Sequence, residues 1–258
     1  MPLRLKDILT LGNLLSGAAA IVLCIDGRAD MAPWAFIVAY VFDVSDGLVA
    51  RLTGGGNRFG AELDNLADHL TFGVAPAFLV YAAHRDTHPW IGMALGAALV
   101  VASTIRHVRN LVFEAPITLC WIGLARPAAG LTIVAFTRSA LFHWGGPWIS
   151  LPLVLAVAWS VVSTFPTLNH RGRAFQPWVR ASIWAWVIGW LAVFLFLRNY
   201  FWDFALFCLV FYAGFSWLAL EPTELDAYRE MLKSWKQTVT QGMAASGGRG
   251  DASPRQGL

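Results

Sequence analysis

The stretch that decides the fold lies between residues 43 and 68. It reads Asp43-Val44-Ser45-Asp46-Gly47-Leu48-Val49-Ala50-Arg51 and, after residues 52–59, Gly60-Ala61-Glu62-Leu63-Asp64-Asn65-Leu66-Ala67-Asp68. The first segment has four residues at the i, i+3, i+4, i+7 spacing of one helix face: Asp43, Asp46, Gly47 and Ala50. Gly60, Asp64 and Asp68 share one face of a second helix in the same way. Because the glycine run 54–56 interrupts helix formation, the pattern predicts two consecutive helices whose aspartates point at each other.

Composition indicates that most of the chain lies in lipid. Hydrophobic residues make up 57% of the 258 residues and charged residues only 14%, with 13 Trp and a mean hydropathy of +0.56. Soluble domains carry roughly 25% charged residues, so the deficit predicts an integral membrane protein. We expect one membrane domain over residues 1–221 and a polar cytoplasmic tail over 222–258. The tail should be helical at first and disordered after about residue 242.

Apolar segments recur along the chain at the length needed to cross a bilayer, about 20 residues. The length criterion predicts eight spans, with six or seven as the alternative: 8–25, 32–52, 60–82, 90–112, 118–142, 148–165, 181–198 and 200–220. The predicted fold class is therefore all-α, a polytopic bundle of transmembrane helices.

The positions of the basic residues predict the orientation of this bundle. Most of the 19 Lys and Arg residues fall on the side that includes both chain ends, and the opposite turns hold only Arg28, Arg85 and Arg198. Basic residues concentrate on the cytoplasmic side, so we expect a multi-pass protein of the cytoplasmic (inner) membrane with both termini in the cytoplasm. The aspartates then lie at the cytoplasmic face.

Four aspartates in membrane helices need a partner. Each carboxylate costs about 2.5–3.5 kcal/mol on insertion scales, and four that face one another repel. A hard divalent cation such as Mg²⁺ or Mn²⁺ removes both problems, and two ions balance four carboxylates better than one. We therefore predict a divalent metal site of one or two ions formed by Asp43, Asp46, Asp64 and Asp68. A transporter with an acidic site is the alternative, although such sites usually lie near the middle of the bilayer.

The same residues resemble the signature of a known family. They match the pattern DxxDGxxARx8GxxxDxxxD of the CDP-alcohol phosphatidyltransferases at every fixed position. The resemblance implies a helical membrane fold, a CDP-linked lipid as donor, CMP as leaving group and a site for two metal ions. It implies that Asp68 takes the proton of the acceptor alcohol. It also implies four contacts to the CDP group: Gly47, Ala50, Arg51 and Gly60.

Further stretches are similar to the phosphatidylserine synthases of bacteria and archaea. These are Thr10-Leu11-Gly12-Asn13, Arg58 to Asp64, Phe72 to Ala77, and Gly123 to Gly130. The resemblance implies CDP-diacylglycerol as donor and L-serine as acceptor, with glycerol 3-phosphate, inositol phosphate or another amino alcohol as alternatives. The chain departs from that pattern in three places: His69 where an apolar residue is common, Ala125 in place of proline, and Arg106-His107-Val108-Arg109-Asn110-Leu111 in place of RLARFN. In the last of these the two arginines keep their spacing, but the aromatic residue and the asparagine do not follow.

Two arginines at the end of the fourth span are candidates for acceptor recognition. Arg106 and Arg109 lie one helical turn apart, where they are placed to hold a carboxylate or a phosphate, or to anchor the cytoplasmic end of the span. His69 is expected to face the loop rather than Asp68. As partners we expect CDP-diacylglycerol, a small polar acceptor and membrane lipid, a second copy in a homodimer, and no nucleic acid.

Overall fold

The computed structural model describes residues 4–53, 57–112, 120–169 and 188–247 of the chain. Its helices are α1 (Leu5–Ile25), α2 (Ala32–Leu52), α3 (Arg58–Asp68), α4 (Ala75–His84), α5 (Pro89–Val112), α6 (Arg126–Arg138), α7 (Ala140–Val162), α8 (residues 188–196), α9 (Phe201–Phe215) and α10 (Pro222–Gly247). Short 3₁₀ turns, Arg198–Tyr200 and Ser216–Ala219, flank α9. A two-stranded antiparallel ribbon pairs β1 (Cys120–Ile122) with β2 (Pro166–Leu168).

Within the described ranges, five helical segments are long and apolar enough to cross a membrane. They are Leu5–Ile25, Arg58–His84, Pro89–Leu111, Ala140–Val162 and Arg198–Ala219. The chain is thus a polytopic helical membrane protein, as its composition predicts. The bounds of α2 agree with the predicted span 32–52, and α2 packs along α1. The predicted glycine break at 54–56 lies outside the described residues.

The region predicted as the fifth span, 118–142, folds differently. From residue 120 onward, β1 is followed by α6, which at 13 residues is too short to cross a bilayer. Gly123 adopts a positive φ of 73° directly after the strand, and Pro127 in the first turn favours the start of α6. The prediction of one continuous helix here was therefore wrong. Of the predicted span 181–198, only the part from residue 188 onward lies within the described residues.

The short helix α6 lies in the centre of the bundle. Ile133 and Phe136 are fully buried, and α4, α5 and α7 add Val80, Leu95 and Val154 to the same apolar core. α9 packs against α6 as well, and the first part of α6 reaches α2 and the segment that follows α3. Because α6 is enclosed in this way, the position of its N-terminal end relative to the aspartates is fixed by the core.

A π-helical turn joins α3 and α4 into one continuous helix. It covers His69–Val74 and begins directly after Asp68. α1, α5 and α6 all pack against it. A π turn contains an extra residue, so it changes the face on which the following side chains lie, and such turns are frequent at functional sites. The turn thus separates the aspartate-bearing face of α3 from the packing face of α4.

The helix of the predicted polar tail, α10, packs against the ribbon. It buries Tyr228 and Trp235 in a cluster that also contains Ile122 of β1. The Tyr228 hydroxyl donates a hydrogen bond of 2.9 Å to the carbonyl oxygen of Thr164. The described part of the tail is therefore attached to the membrane domain, and residues 248–258 lie outside the described range.

Candidate active site

Three of the predicted metal ligands meet between α2 and α3. Asp43, Asp64 and Asp68 each place one carboxylate oxygen within 4.8 Å of the other two. The side chain of Asn57 accepts a hydrogen bond of 2.8 Å from the Gly60 amide, and this cap fixes the start of α3. α1 packs along both α2 and α3 and so holds the two aspartate-bearing helices together.

These three carboxylates fit a hard divalent cation. Mg²⁺ binds oxygen at about 2.0–2.1 Å, so two oxygens on one ion lie at most about 4.2 Å apart. The observed separations of up to 4.8 Å require the carboxylates to approach by only about half an ångström. Without a cation, three half-buried carboxylates at such distances repel one another. The donor set consists of oxygens alone, which suits Mg²⁺ and Mn²⁺.

Asp46, the fourth predicted ligand, lies apart from this group and faces α1. It is 4% exposed, and its Oδ2 accepts a hydrogen bond of 2.6 Å from the Thr10 hydroxyl. Three residues of α-helix rotate a side chain by about 300°, so Asp46 points about 60° away from Asp43 around α2. The structure thus brings together three of the four aspartates, and metal binding by Asp46 stays a prediction.

α1 supplies two hydrogen-bond donors that the aspartate motif does not include. Thr10 donates to Asp46, and the side-chain amide of Asn13 donates to Oδ1 of Asp68 at 3.3 Å. Both side chains are fully buried. The sequence indicates them, because Asp7, Thr10 and Asn13 are polar residues spaced three apart in a largely apolar helix. These donors restrict the orientation of two of the four aspartates.

A cavity of about 590 Å³ opens beside Asp43. Gly47 and Arg51 line it on the same side, and Asn169 and Tyr212 form part of the remaining wall. A Cβ on Gly47 would meet the Arg51 guanidinium at 3.6 Å and no closer heavy atom of the described residues, so the helix surface is open there. Two of the four predicted CDP contacts, Gly47 and Arg51, therefore face the space next to a carboxylate of the acidic group.

The other two predicted CDP contacts lie elsewhere. Ala50 is half-buried on α2 and is not among the residues that line the described cavity. Gly60 is buried where α3 meets the start of α1, and a Cβ there would lie 2.5 Å from Oδ1 of Asp7 and 2.8 Å from Cε of Lys6. Gly60 thus permits a close approach of the two helices, and its contact with a nucleotide stays a prediction.

Arg106 and Arg109 are engaged with main-chain carbonyl groups. Arg106 is 4% exposed, and its Nη1 donates to the carbonyl oxygens of Ile122 (2.8 Å) and Val161 (2.9 Å). Nη1 of Arg109 donates to the carbonyl oxygen of Val162 at 2.7 Å. Carbonyl groups in the last turn of a helix have no partner within it, so the two arginines cap α7 and attach β1 to it. This geometry gives both residues a structural role, and acceptor binding by them stays a prediction.

His69 faces the protein interior, contrary to the expectation that it faces the loop. Its Nδ1 lies 3.0 Å from Oγ of Ser103, and its ring stacks on that of His107 with the centroids 4.7 Å apart. Nδ1 of His107 in turn lies 3.4 Å from Nη1 of Arg126. The π turn begins at His69 and directs this side chain toward α5. Both histidines stand at positions where the chain departs from the phosphatidylserine synthase pattern.

Comparison with known proteins decides the family. Residues 3–197 match the CDP-alcohol phosphatidyltransferase family, and this range is well over half of the chain. The chain belongs to this family. The matched range includes every element that carries the aspartates, and it ends before α9 and α10.

Each of several curated relatives of this CDP-alcohol phosphatidyltransferase matches about half of its length. The archaetidylserine synthase of Methanothermobacter thermautotrophicus is 37% identical over 142 residues, or 54% of this chain and 60% of the relative. The CDP-diacylglycerol–serine O-phosphatidyltransferase of Helicobacter pylori is 33% identical over 129 residues, or 50% of this chain and 54% of the relative. The enzyme of that name from Bacillus subtilis is 30% identical over 136 residues, or 52% of this chain and 76% of the relative. The chain thus spans little more than half the length of the first two.

Family membership also bears on the acidic group. CDP-alcohol phosphatidyltransferases generally use a divalent metal. Among the residues that the structure describes, the acidic side chains with a geometry that suits such an ion are Asp43, Asp64 and Asp68.

Proposed function

We propose that this protein transfers a phosphatidyl group from CDP-diacylglycerol to the hydroxyl group of L-serine, which forms phosphatidylserine and releases CMP. The observation that carries the proposal is the meeting of Asp43, Asp64 and Asp68 beside a cavity that Arg51 also lines. Carboxylates that suit a divalent cation, next to an arginine, are appropriate for a substrate with a diphosphate group. Family membership and the names of the serine-transferring relatives support the same donor and acceptor.

The proposed reaction is a substitution at the phosphorus atom on the lipid side of the diphosphate. The hydroxyl oxygen of serine forms a bond to this phosphorus, and the bond from phosphorus to the oxygen of CMP breaks. The hydroxyl proton passes to Asp68, which we assign as the general base. The hydrogen bond from Asn13 supports this assignment because it restricts the orientation of the Asp68 carboxylate.

We further propose a role for each remaining residue of the motif. Asp43, Asp64 and Asp68 hold Mg²⁺ or Mn²⁺, which when bound supplies electrostatic stabilisation of the diphosphate. Binding of a second ion requires the carboxylate of Asp46, which accepts a hydrogen bond from Thr10. Four residues are assigned to the CDP group: Gly47, Ala50, Arg51 and Gly60.

The proposal also covers the membrane orientation of the protein and its oligomeric state. The distribution of basic residues supports a cytoplasmic (inner) membrane orientation with both termini and the site at the cytoplasmic face. We assign the transferase to residues 1–221 and propose that it forms a homodimer in contact with membrane lipid. Large apolar side chains on the surface support this, since Trp144 and Trp148 are 84% and 85% exposed.

An acceptor screen tests the proposed function. Purified protein in detergent micelles with CDP-diacylglycerol and Mn²⁺ or Mg²⁺ is offered serine, glycerol 3-phosphate, inositol or inositol phosphate, and CMP release is measured. We expect release with serine in the presence of the metal, a lipid product with the mass of phosphatidylserine, and no release after chelation. Release with a different acceptor would correct the acceptor alone. No metal-dependent release with any of them contradicts the proposal and favours the transporter alternative.

A further inference from the structure

The π turn after Asp68 weakens one helical hydrogen bond at the aspartate-bearing end of α3. The amide of His69, the first residue of the turn, is shared between the carbonyl oxygens of Asn65 and Leu66. A shared amide gives each oxygen a weaker bond than a single partner would. Asn65 lies next to Asp64 and one turn before Asp68, so a second donor to its carbonyl group bears directly on both metal ligands.

Arg126, the first residue of α6, supplies that donor. Its Nη1 donates to the Asn65 carbonyl oxygen at 2.8 Å, and its Nη2 donates to the Asn65 side-chain oxygen Oδ1 at 2.7 Å. The planar guanidinium therefore binds one residue of α3 through two parallel contacts, which fixes orientation as well as distance. Arg126 is 9% exposed, and the start of α6 is held by the central core.

Side chains of α5 complete the contact from the other side. His107 Nδ1 is 3.4 Å from Nη1 of Arg126, and the His107 ring stacks on His69 at an interplanar angle of 16°. His69 in turn reaches Ser103 Oγ at 3.0 Å. For Arg126 to donate to it, this His107 nitrogen carries no proton. Residues of α5 and α6 thus enclose the turn that follows Asp68.

From this geometry we propose that Arg126 is a positioning residue of the metal site. By holding both oxygens of Asn65, it fixes the last turn of α3 and thereby the direction of the Asp64 and Asp68 carboxylates toward Asp43. The inference rests on the metal site of the proposed function. It is independent of which alcohol is the acceptor, and neither the motif nor the family match assigns this role to Arg126.

The test compares Mn²⁺ binding among matched variants of the full-length protein in detergent. Arg126→Gln removes the charge and the fork, Arg126→Lys keeps the charge but not the fork, and Asn65→Ala removes only the contact to Nη2. Arg138→Gln is the control, since Arg138 is an exposed residue at the other end of the same helix. Bound Mn²⁺ is measured from the electron paramagnetic resonance signal of the free ion, and CMP release with serine is measured in parallel. Size-exclusion profiles and apparent melting temperatures establish that each variant is folded.

We expect Arg126→Gln to weaken Mn²⁺ binding about 10- to 100-fold, as is usual when a residue that orients a metal ligand is lost. The Arg126→Lys and Asn65→Ala variants should show smaller losses, and Arg138→Gln none. The double variant Arg126→Gln/Asn65→Ala should bind Mn²⁺ like Arg126→Gln, because both changes remove the same contact. At saturating Mn²⁺ the KM for serine should stay within about twofold of the wild type.

Three results would overturn the inference. The first is Mn²⁺ binding by folded Arg126→Gln equal to that of Arg138→Gln, and the second is a raised KM for serine at unchanged Mn²⁺ affinity, which would make Arg126 an acceptor contact. The third result applies if Arg126→Gln does not fold: the inference is then overturned if both Arg126→Lys and Asn65→Ala bind Mn²⁺ with unchanged affinity. A failure of the proposed function is distinguishable, since the wild type would then bind Mn²⁺ with the expected order of variants but release no CMP with any acceptor.

Discussion

The acidic group and the arginine pair are both charged groups that lie at least partly buried between the helices, yet their surroundings are opposite. Asp43, Asp64 and Asp68 face one another beside a cavity of about 590 Å³. Arg106 and Arg109 instead donate to main-chain carbonyl groups at the end of α7 and in β1. The positive charges are compensated by the protein itself, whereas the negative charges repel one another.

This difference shows how charged residues that bind a ligand can be distinguished from charged residues with a structural role in a membrane protein. An ionised group in a membrane segment is costly, so it is retained either with a partner inside the protein or for a ligand. The carbonyl groups of Val161 and Val162, in the last turn of α7, are such internal partners. Between α2 and α3, by contrast, three carboxylates face one another, and a divalent cation bound there would offset their mutual repulsion.

The largest expected effect is at the acidic group. Asp68→Asn keeps the size of the side chain but removes the charge and the proton acceptor. We expect CMP release to fall by at least about 10²-fold, the lower end of the contribution of a general base. Glu62→Gln is a matched control, because Glu62 is an exposed carboxylate on the same helix. Initial rates of CMP release at saturating Mn²⁺ measure both.

Turnover of Asp68→Asn close to that of Glu62→Gln would show that Asp68 is neither base nor essential ligand. The acidic group would then resemble the arginine pair in being structural, and the comparison would fail. A large loss in both variants would instead indicate that overall charge at this face matters more than the position of one carboxylate.

The next effect concerns the arginine pair and should appear in stability. Arg106→Met keeps the length of the side chain but leaves the Val161 carbonyl oxygen without its donor. We expect the free energy of unfolding to fall by up to about 3 kcal/mol, the penalty for an unsatisfied buried polar group. Apparent melting temperatures in detergent measure this, with Arg138→Met as the exposed control.

The same variant tests the acceptor-binding role predicted from the sequence. If Arg106 only caps α7, the folded fraction of Arg106→Met should have a serine KM like that of the wild type. A serine KM raised at least about tenfold with unchanged melting temperature would restore the acceptor assignment. It would also remove the contrast between the two charged regions.

Local sequence pattern was sufficient to predict the helices that carry the aspartates. α2 has the predicted bounds, because Pro33 favours its start and the glycine run at 54–56 follows its end. Helical phase also predicted that Asp43 and the two aspartates of α3 would meet. The same helical phase places Asp46 about 60° away from Asp43 around α2. That this offset turns Asp46 toward Thr10 depends on the position of α1, which no local sequence pattern predicts.

Contacts between distant segments could not be predicted in this way. The ribbon pairs Cys120 with Leu168, and the partners of Arg106 are main-chain groups that no residue type reveals. An apolar run such as 118–142 has the same composition whether it forms one span or a strand followed by a short helix. The π turn after Asp68 likewise leaves no mark in composition, although it determines where His69 points.

A smaller effect is expected where α1 meets the acidic region. Thr10→Val preserves the shape of the side chain and removes the donor to Asp46. We expect Mn²⁺ affinity to fall by about tenfold at most if Asp46 belongs to the metal site, because the lost hydrogen bond only orients the carboxylate. Ser16→Val is the control, since the Ser16 hydroxyl bonds to the main chain of the same helix. Unchanged affinity in Thr10→Val would place Asp46 among the structural charges.

The smallest effect should come from α10, next to the arginine pair. Burial raises the pKa of Tyr228 to about 12, so its hydroxyl keeps the proton that it donates to Thr164. Tyr228→Phe should lower the free energy of unfolding by about 1 kcal/mol without changing Mn²⁺ affinity.

The raised pKa of Tyr228 also predicts a pH dependence. The stabilisation is fully present below the ordinary tyrosine pKa of about 10, and it is lost as the pH rises toward 12. The difference in melting temperature between wild type and Tyr228→Phe should therefore be constant up to about pH 10 and shrink above it. A loss of Mn²⁺ affinity in Tyr228→Phe would mean that α10 contributes to the metal site. The acidic group and the region around the arginine pair would then be coupled, although their contacts show them as separate.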